Sequence, residues 1–140
     1  MKPILLSSAI LICFAFFYLN FEGDQYTSQD PLQESIKRGA DIYTDFCMNC
    51  HLASGEGVAN VYPPLANSDY LMKNRKESIH GLKYGQQGEI VVNGKTYNNF
   101  MPPPGLGDDE IADVMNYINN SWGNKNTEMV TEAEVASIKK

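Results

Sequence analysis

The five residues Cys47-Met48-Asn49-Cys50-His51 constrain this chain more than any other feature. They hold two of its three cysteines and one of its two histidines. Three chemistries use such a cluster: a zinc half-site, a dithiol redox pair and covalent haem attachment. Structural zinc needs about four N, S or O ligands. Outside the cluster the chain offers one cysteine, Cys13, and one histidine, His80. A thioredoxin-type dithiol expects a βαβ setting, whereas these cysteines follow a helical pattern and precede a loop. A disulfide at this spacing is awkward within a helical turn and leaves His51 unused. Haem attachment uses the whole motif. Thiols at i and i+3 project from one helical face, where each can add to a haem vinyl group, and the next residue supplies the proximal imidazole.

That reading requires a sixth iron ligand. The candidates are His80 and the methionines. Met48 is trapped between the cysteines, Met115 lies on the apolar stripe of a helix, Met72 sits near a helix start, and Met129 is in the tail. Met101 differs, because it stands in Asn98-Asn99-Phe100-Met101-Pro102-Pro103-Pro104-Gly105. Three prolines fix φ and remove donors, which stiffens the loop. A thioether is a weak ligand and gains from such positioning. Met101 is therefore the preferred sixth ligand, with His80 as the alternative.

The N-terminus says where such a domain works. Residues 4–21, ILLSSAILICFAFFYLNF, carry no charge over eighteen positions. As a helix they would span about 27 Å, close to the roughly 30 Å of a hydrocarbon core. Lys2 before the run, with Glu22, Asp24 and Asp30 after it, favours an inside N-terminus and an exported remainder. A cleaved signal peptide is the competing expectation. Its apolar region would run only about 7–15 residues and end at a small-x-small site, which Tyr18–Gly23 lacks. A lipid on Cys13 is a third option, disfavoured by Ile12 where a small residue belongs. Residues 1–23 thus read as a membrane anchor or signal segment and 24–31 as a linker. From Glu22 on, all seventeen acids but only ten of the eleven Lys/Arg remain, a net charge of −7. That argues against nucleic acid and against adhesion to anionic lipid.

Beyond the linker the chain is mostly α. Leu32, Ile36, Ala40, Tyr43 and Phe46 or Cys47 share one face of a helix from about Leu32 to Cys47. Gly39 inside it points to close approach by another helix. Residues 53–67 form a loop. Ser68 can cap a helix, in one or two pieces, to about Lys83. Ile90-Val91-Val92 and Lys95-Thr96-Tyr97 flank Asn93-Gly94, a hairpin signal. A last long helix runs from about Asp108 to Ser121, with Ile111, Val114, Met115 and Ile118 inward and acids in its first turn. Thr131-Glu132-Ala133-Glu134 has the capping-box pattern of a short tail helix.

Taken together, Gly39-Ala40-Asp41-Ile42-Tyr43, CMNCH, Tyr62-Pro63-Pro64-Leu65-Ala66, Asn99-Phe100-Met101-Pro102 and Asp109 through Gly123 resemble a class I, mono-haem c-type cytochrome of the membrane-anchored bacterial type. The resemblance covers residues from about 32 to 126 and leaves 127–140 as a C-terminal extension. It implies the cytochrome c fold: three to five helices around one covalently bound haem c, with one small β-hairpin, after the N-terminal helix. It implies that the first and last helices cross, with Gly39 and Tyr43 against Tyr117. It also implies that a proline carbonyl, matched at Pro64, accepts the N–H of His51. Gly107, where many members have Ser, is a weaker helix cap.

The expected function is one-electron transfer by iron held between His51 and Met101, with Cys47 and Cys50 as tethers. No catalytic residue is expected. Donors would be a quinol–cytochrome c reductase or a dehydrogenase, and acceptors a terminal oxidase or a reductase. The haem domain would sit on the outer, periplasmic side of the cytoplasmic membrane. Two rivals stand beside a free carrier: a dedicated haem subunit of one membrane complex, and a haem catalyst or gas sensor, which would need an open sixth site.

Overall fold

The computed structural model describes residues 30–140. The apolar run 4–21 and nearly all of the linker lie outside them. Among the described residues no helix is long and apolar enough to cross a membrane.

Helix α1 spans Pro31–Phe46. Asp30 caps it, accepting from the Leu32 N–H at 3.0 Å, and Pro31 takes the first helical position, where its missing N–H costs nothing. The buried seam of α1 is Ser35, Gly39 and Tyr43, flanked by half-buried Ile36 and Ile42 rather than uniformly apolar. Phe46 stays 53% exposed, because it borders a cavity instead of the core. A single turn, α2, covers Met48–His51. The loop that follows folds onto itself through the Gly55 carbonyl, which accepts from Leu65 at 2.7 Å and Ala66 at 2.9 Å.

The segment after Ser68 forms two helices, α3 (Asp69–Lys73) and α4 (Arg75–Tyr84), broken at Asn74. Ser68 Oγ accepts from the Leu71 N–H at 3.3 Å, as an N-cap should. Strands β1 (Ile90–Val92) and β2 (Lys95–Tyr97) pair antiparallel, Ile90 opposite Tyr97 and Val92 opposite Lys95. Asn93 and Gly94 turn between them with φ of 51° and 75°, the left-handed pair a two-residue hairpin needs. Helix α5 is Asp108–Ile118, ending three residues before the expected Ser121. Glycine has no side chain with which to cap it. Glu110 supplies the other half of the device, accepting from the Gly107 N–H at 2.8 Å.

The core forms where α1 crosses α5. Gly39 makes the crossing close: a Cβ there would lie 2.6 Å from the Asp113 carbonyl carbon and 2.8 Å from Tyr117 Cβ. Tyr43 then stacks near Tyr117 and Trp122, ring centroids 5.5 and 4.8 Å away. Polar groups lace the same interface. Arg38 makes a two-pronged pair with Asp113 at 2.6 and 2.7 Å, and Ser35 Oγ donates to Asp113 at 2.6 Å.

Helix α6, Glu132–Ser137, belongs to this core. Val130 and Val135 are wholly buried in the cluster that holds Tyr43 and Ile111. The Asn116 side chain donates to the Val130 carbonyl at 2.8 Å and accepts from its N–H at 2.7 Å. Half of the expected capping box is present: Thr131 Oγ accepts from the Glu134 N–H at 3.2 Å, while the Glu134 carboxylate turns away to Arg75.

Candidate functional site

A cavity of about 350 Å³ opens between α2, α4, the hairpin and α5. This is within the ordinary range for a cofactor site. Leu65, Leu82, Val92, Val114, Met115 and Ile118 give it apolar walls. Cys47, Cys50 and His51 border it on one side, and Met101 borders it from the loop after β2. Residues fifty apart in sequence thus meet around one space. His80 is not among the lining residues; its ring lies against Tyr84, centroids 5.1 Å apart. Met72 is exposed and Met48 packs against the core.

The CMNCH motif is one tight turn. The N–H groups of Cys50 and His51 both donate to the Cys47 carbonyl, at 3.2 and 2.9 Å. Burial pushes the Cys47 thiol up to about 11, and the nearby Cys50 adds to the shift, so Cys47 stays protonated at neutral pH. Leu52, directly after His51, adopts φ 64° and ψ 169°, a region that side chains rarely occupy. Tyr43 holds it there, its hydroxyl donating to the Leu52 carbonyl at 2.6 Å.

His51 is buried, and its Nδ1 lies 3.1 Å from the carbonyl oxygen of Pro63. This corrects the expectation that Pro64 supplies the acceptor: Pro64 lines the cavity, but the carbonyl facing the ring is that of the preceding proline. Two prolines in a row made the choice a matter of loop register, and register is set by hydrogen bonds invisible in the sequence. Because a carbonyl can only accept, Nδ1 carries the proton and Nε2 is left with a free lone pair. Burial holds the imidazole below its usual range, opposed by the bond to Pro63, and so favours the neutral, metal-binding form.

Gly57, inside the loop expected over residues 53–67, positions Pro63. It has φ +63°, and a Cβ there would lie 2.7 Å from the Pro63 oxygen. Its own N–H donates to the His51 carbonyl at 3.0 Å. The Met101 loop is fastened as well. Met101 and Gln86 exchange both backbone hydrogen bonds, at 2.8 and 2.9 Å. Asn99 Nδ2 donates to the Val61 carbonyl at 2.9 Å, tying the Met101 loop to the loop that carries Pro63.

Two thiols, an imidazole with a free nitrogen and a thioether around one apolar space suit a covalently held haem. The comparisons agree. Residues 36–122 match the family model described as cytochrome c. The chain is 42% identical over 90 residues to cytochrome c-552 of Thermus thermophilus, covering 61% of this chain and 68% of that one. It is 33% identical over 105 residues to the cytochrome c subunit of a quinone alcohol dehydrogenase from Gluconacetobacter polyoxogenes, spanning 22% of that subunit. It is 34% identical over 126 residues to the cytochrome c subunit of gluconate 2-dehydrogenase from Pantoea cypripedii, spanning 28% of it. The chain belongs to the cytochrome c family, as a class I c-type cytochrome. Its function is electron transfer with covalently bound haem c, and it is not itself a catalytic enzyme.

Proposed function

We propose that Cys47 and Cys50 would tether the haem and that His51 and Met101 would ligate its iron. The observation that carries this is the shared cavity: the CMNCH turn and the Met101 loop border the same apolar space, and His51 presents a ring whose other nitrogen is already engaged. The two free thiols would hold the haem covalently, each as one thioether. The haem supplies the Fe(III)/Fe(II) couple. The chain fixes the His51 tautomer through Pro63, holds the methionine loop through Gln86 and Asn99, and keeps water from the pocket with apolar walls. With His51 and Met101 both offered to the iron, small ligands would be disfavoured there, which weighs against the haem catalyst or gas sensor reading. Thioether ligation and burial together favour the reduced state. Substituting Met101→Ala in the holoprotein should abolish the iron–methionine charge-transfer band; an unchanged spectrum would rule out this ligand.

We further propose that the carrier is tethered by residues 1–23 on the outer face of the cytoplasmic membrane. There it would exchange electrons with a quinol–cytochrome c reductase or dehydrogenase and with a terminal oxidase or reductase. The apolar run 4–21 supports this, since tethering raises the effective concentration of partners. The likeness to dehydrogenase cytochrome c subunits favours a second reading, a dedicated haem subunit of one complex. Isolation in mild detergent separates the two: a lone reducible protein supports the carrier, and stable co-purification with a dehydrogenase supports the subunit. Intact mass of the same material reports whether residues 1–23 remain.

A further inference from the structure

We propose that the C-terminal extension is a brace for the Met101 loop, acting through both ends of α4. The inference rests on Met101 being the axial ligand. The family match spans residues 36–122, and the extension lies beyond it.

The extension grips α4 at its first and last residues. Arg75 opens the helix and makes four bonds to the tail: to both Glu134 carboxylate oxygens at 2.7 and 2.8 Å, and to the carbonyls of Glu128 and Met129, each at 3.0 Å. At the other end, Tyr84 donates its hydroxyl to the Ile138 carbonyl at 3.0 Å. Lys83 donates to the Val135 carbonyl at 2.9 Å and pairs with Asp108 at 2.9 Å, joining α4, α5 and α6 at one ammonium. Val130 and Val135, wholly buried, fix the tail against α5.

The opposite side of α4 faces the haem cavity through Ser78, Gly81 and Leu82. Two residues past Tyr84 stands Gln86, whose N–H and carbonyl pair with the carbonyl and N–H of Met101. Tail, Tyr84, Gln86 and Met101 therefore form a short run of hydrogen-bonded backbone and side chain. A thioether sulfur is a weak ligand that binds only where it is held. Loosening Tyr84 or Lys83 frees the end of α4, lets Gln86 move, and lowers the advantage of Met101 over an external ligand.

A stabilising tail with no such role would change unfolding but not ligand exchange, and the test separates the two. Full-chain ferric holoprotein is titrated with imidazole while the iron–methionine charge-transfer band is followed, in wild type, Tyr84→Phe, Lys83→Met and Arg38→Met. The last variant breaks the Arg38–Asp113 pair at the α1–α5 crossing instead. The brace predicts that Tyr84→Phe and Lys83→Met raise apparent imidazole affinity about threefold to tenfold, the scale of one net hydrogen bond. Arg38→Met should leave it near the wild-type value even where it lowers stability as much. Wild-type affinity in both α4 variants, or an equal rise in Arg38→Met, overturns the brace. Met101→Ala is run alongside: loss of its band upholds the ligand, and a retained band removes the ligand reading on which the brace stands.

Discussion

His51 Nδ1 and the carbonyl oxygen of Pro63 lie 3.1 Å apart, and Gly57 leaves the space that keeps that oxygen in place. The contact fixes which ring nitrogen carries the proton, and under the proposed ligation it would make the imidazole a stronger donor to iron by drawing on its N–H. Gly57→Ala would introduce a Cβ at 2.7 Å from the Pro63 oxygen and a left-handed backbone at φ +63°, the latter worth about 1–2 kcal/mol by itself. The expected outcome is lower thermal stability together with a higher reduction potential, because a weaker N–H···O bond leaves Fe(III) less well supported. Redox titration beside a melting curve checks both; a potential that stays put or falls contradicts the role given to Gly57.

Gly39 tests a conflict of signs. Alanine is the better helix former by about 1 kcal/mol, so a helix considered alone should gain from Gly39→Ala. At the crossing, however, the new methyl would sit 2.6 Å from the Asp113 carbonyl carbon and 2.8 Å from Tyr117 Cβ, backbone and branch-point atoms that cannot swing aside. Overpacking of this kind costs about 1–3 kcal/mol or more. The crossing should win, with a net loss of up to about 2 kcal/mol in denaturant unfolding of the holoprotein. A stabilised Gly39→Ala protein would mean that α1 and α5 are further apart than described.

The residues that were legible in sequence are those whose role is local. Asn93-Gly94 set the hairpin because their own backbone conformations define the turn. Ser68 marked a helix start because its hydroxyl reaches only three residues on. CMNCH announced itself because one helical turn brings its groups together. Gly39 was readable because a glycine inside an apolar helix implies a close neighbour. What escaped depends on contacts between distant segments. Apolar periodicity could not show Ser35, Asp113 and Asn116 as core members, since polar residues enter a core only as a mutually satisfied set. Choosing between Pro63 and Pro64 required the loop register that Gly55 and Gly57 impose. The tail, whose own pattern showed only a short helix, was unreadable because Arg75, Lys83 and Tyr84, which anchor it, lie more than forty residues upstream.

Asn116 gives that hidden polar set a measurable weight. Its amide donates to Ser35 Oγ and to the Val130 carbonyl, each at 2.8 Å, and accepts from the Val130 N–H at 2.7 Å. Asn116→Ala would leave both backbone groups of Val130 buried without partners, each costing about 1–3 kcal/mol. Ser35→Ala leaves a single buried group, one Asn116 N–H, without its acceptor, at about 1–3 kcal/mol, against two groups for Asn116→Ala. Chemical denaturation should therefore rank Asn116→Ala below Ser35→Ala, by about 1–3 kcal/mol. Equal losses would show that water reaches Val130 and that the tail is not sealed onto α5.

The Arg75–Glu134 pair makes tail docking sensitive to acid. Hydrogen bonds from Arg75 hold the Glu134 carboxyl below its ordinary 4.5, with burial acting against them. A carboxyl whose folded value is depressed binds its proton more readily when unfolded, so folding gains from it above the unfolded value. That gain is fully present above about pH 4.5 and is lost as pH falls through the lower folded value. Glu134→Gln deletes the titration and keeps the shape. Melting temperatures of the two proteins, taken between about pH 3 and pH 7, should differ by a constant amount at the neutral end. The difference should shrink below about pH 4.5, because every other carboxylate is common to both and cancels. A gap that persists unchanged to the acid end would mean that the ion pair contributes nothing and that Arg75 holds the tail through the Glu128 and Met129 carbonyls alone.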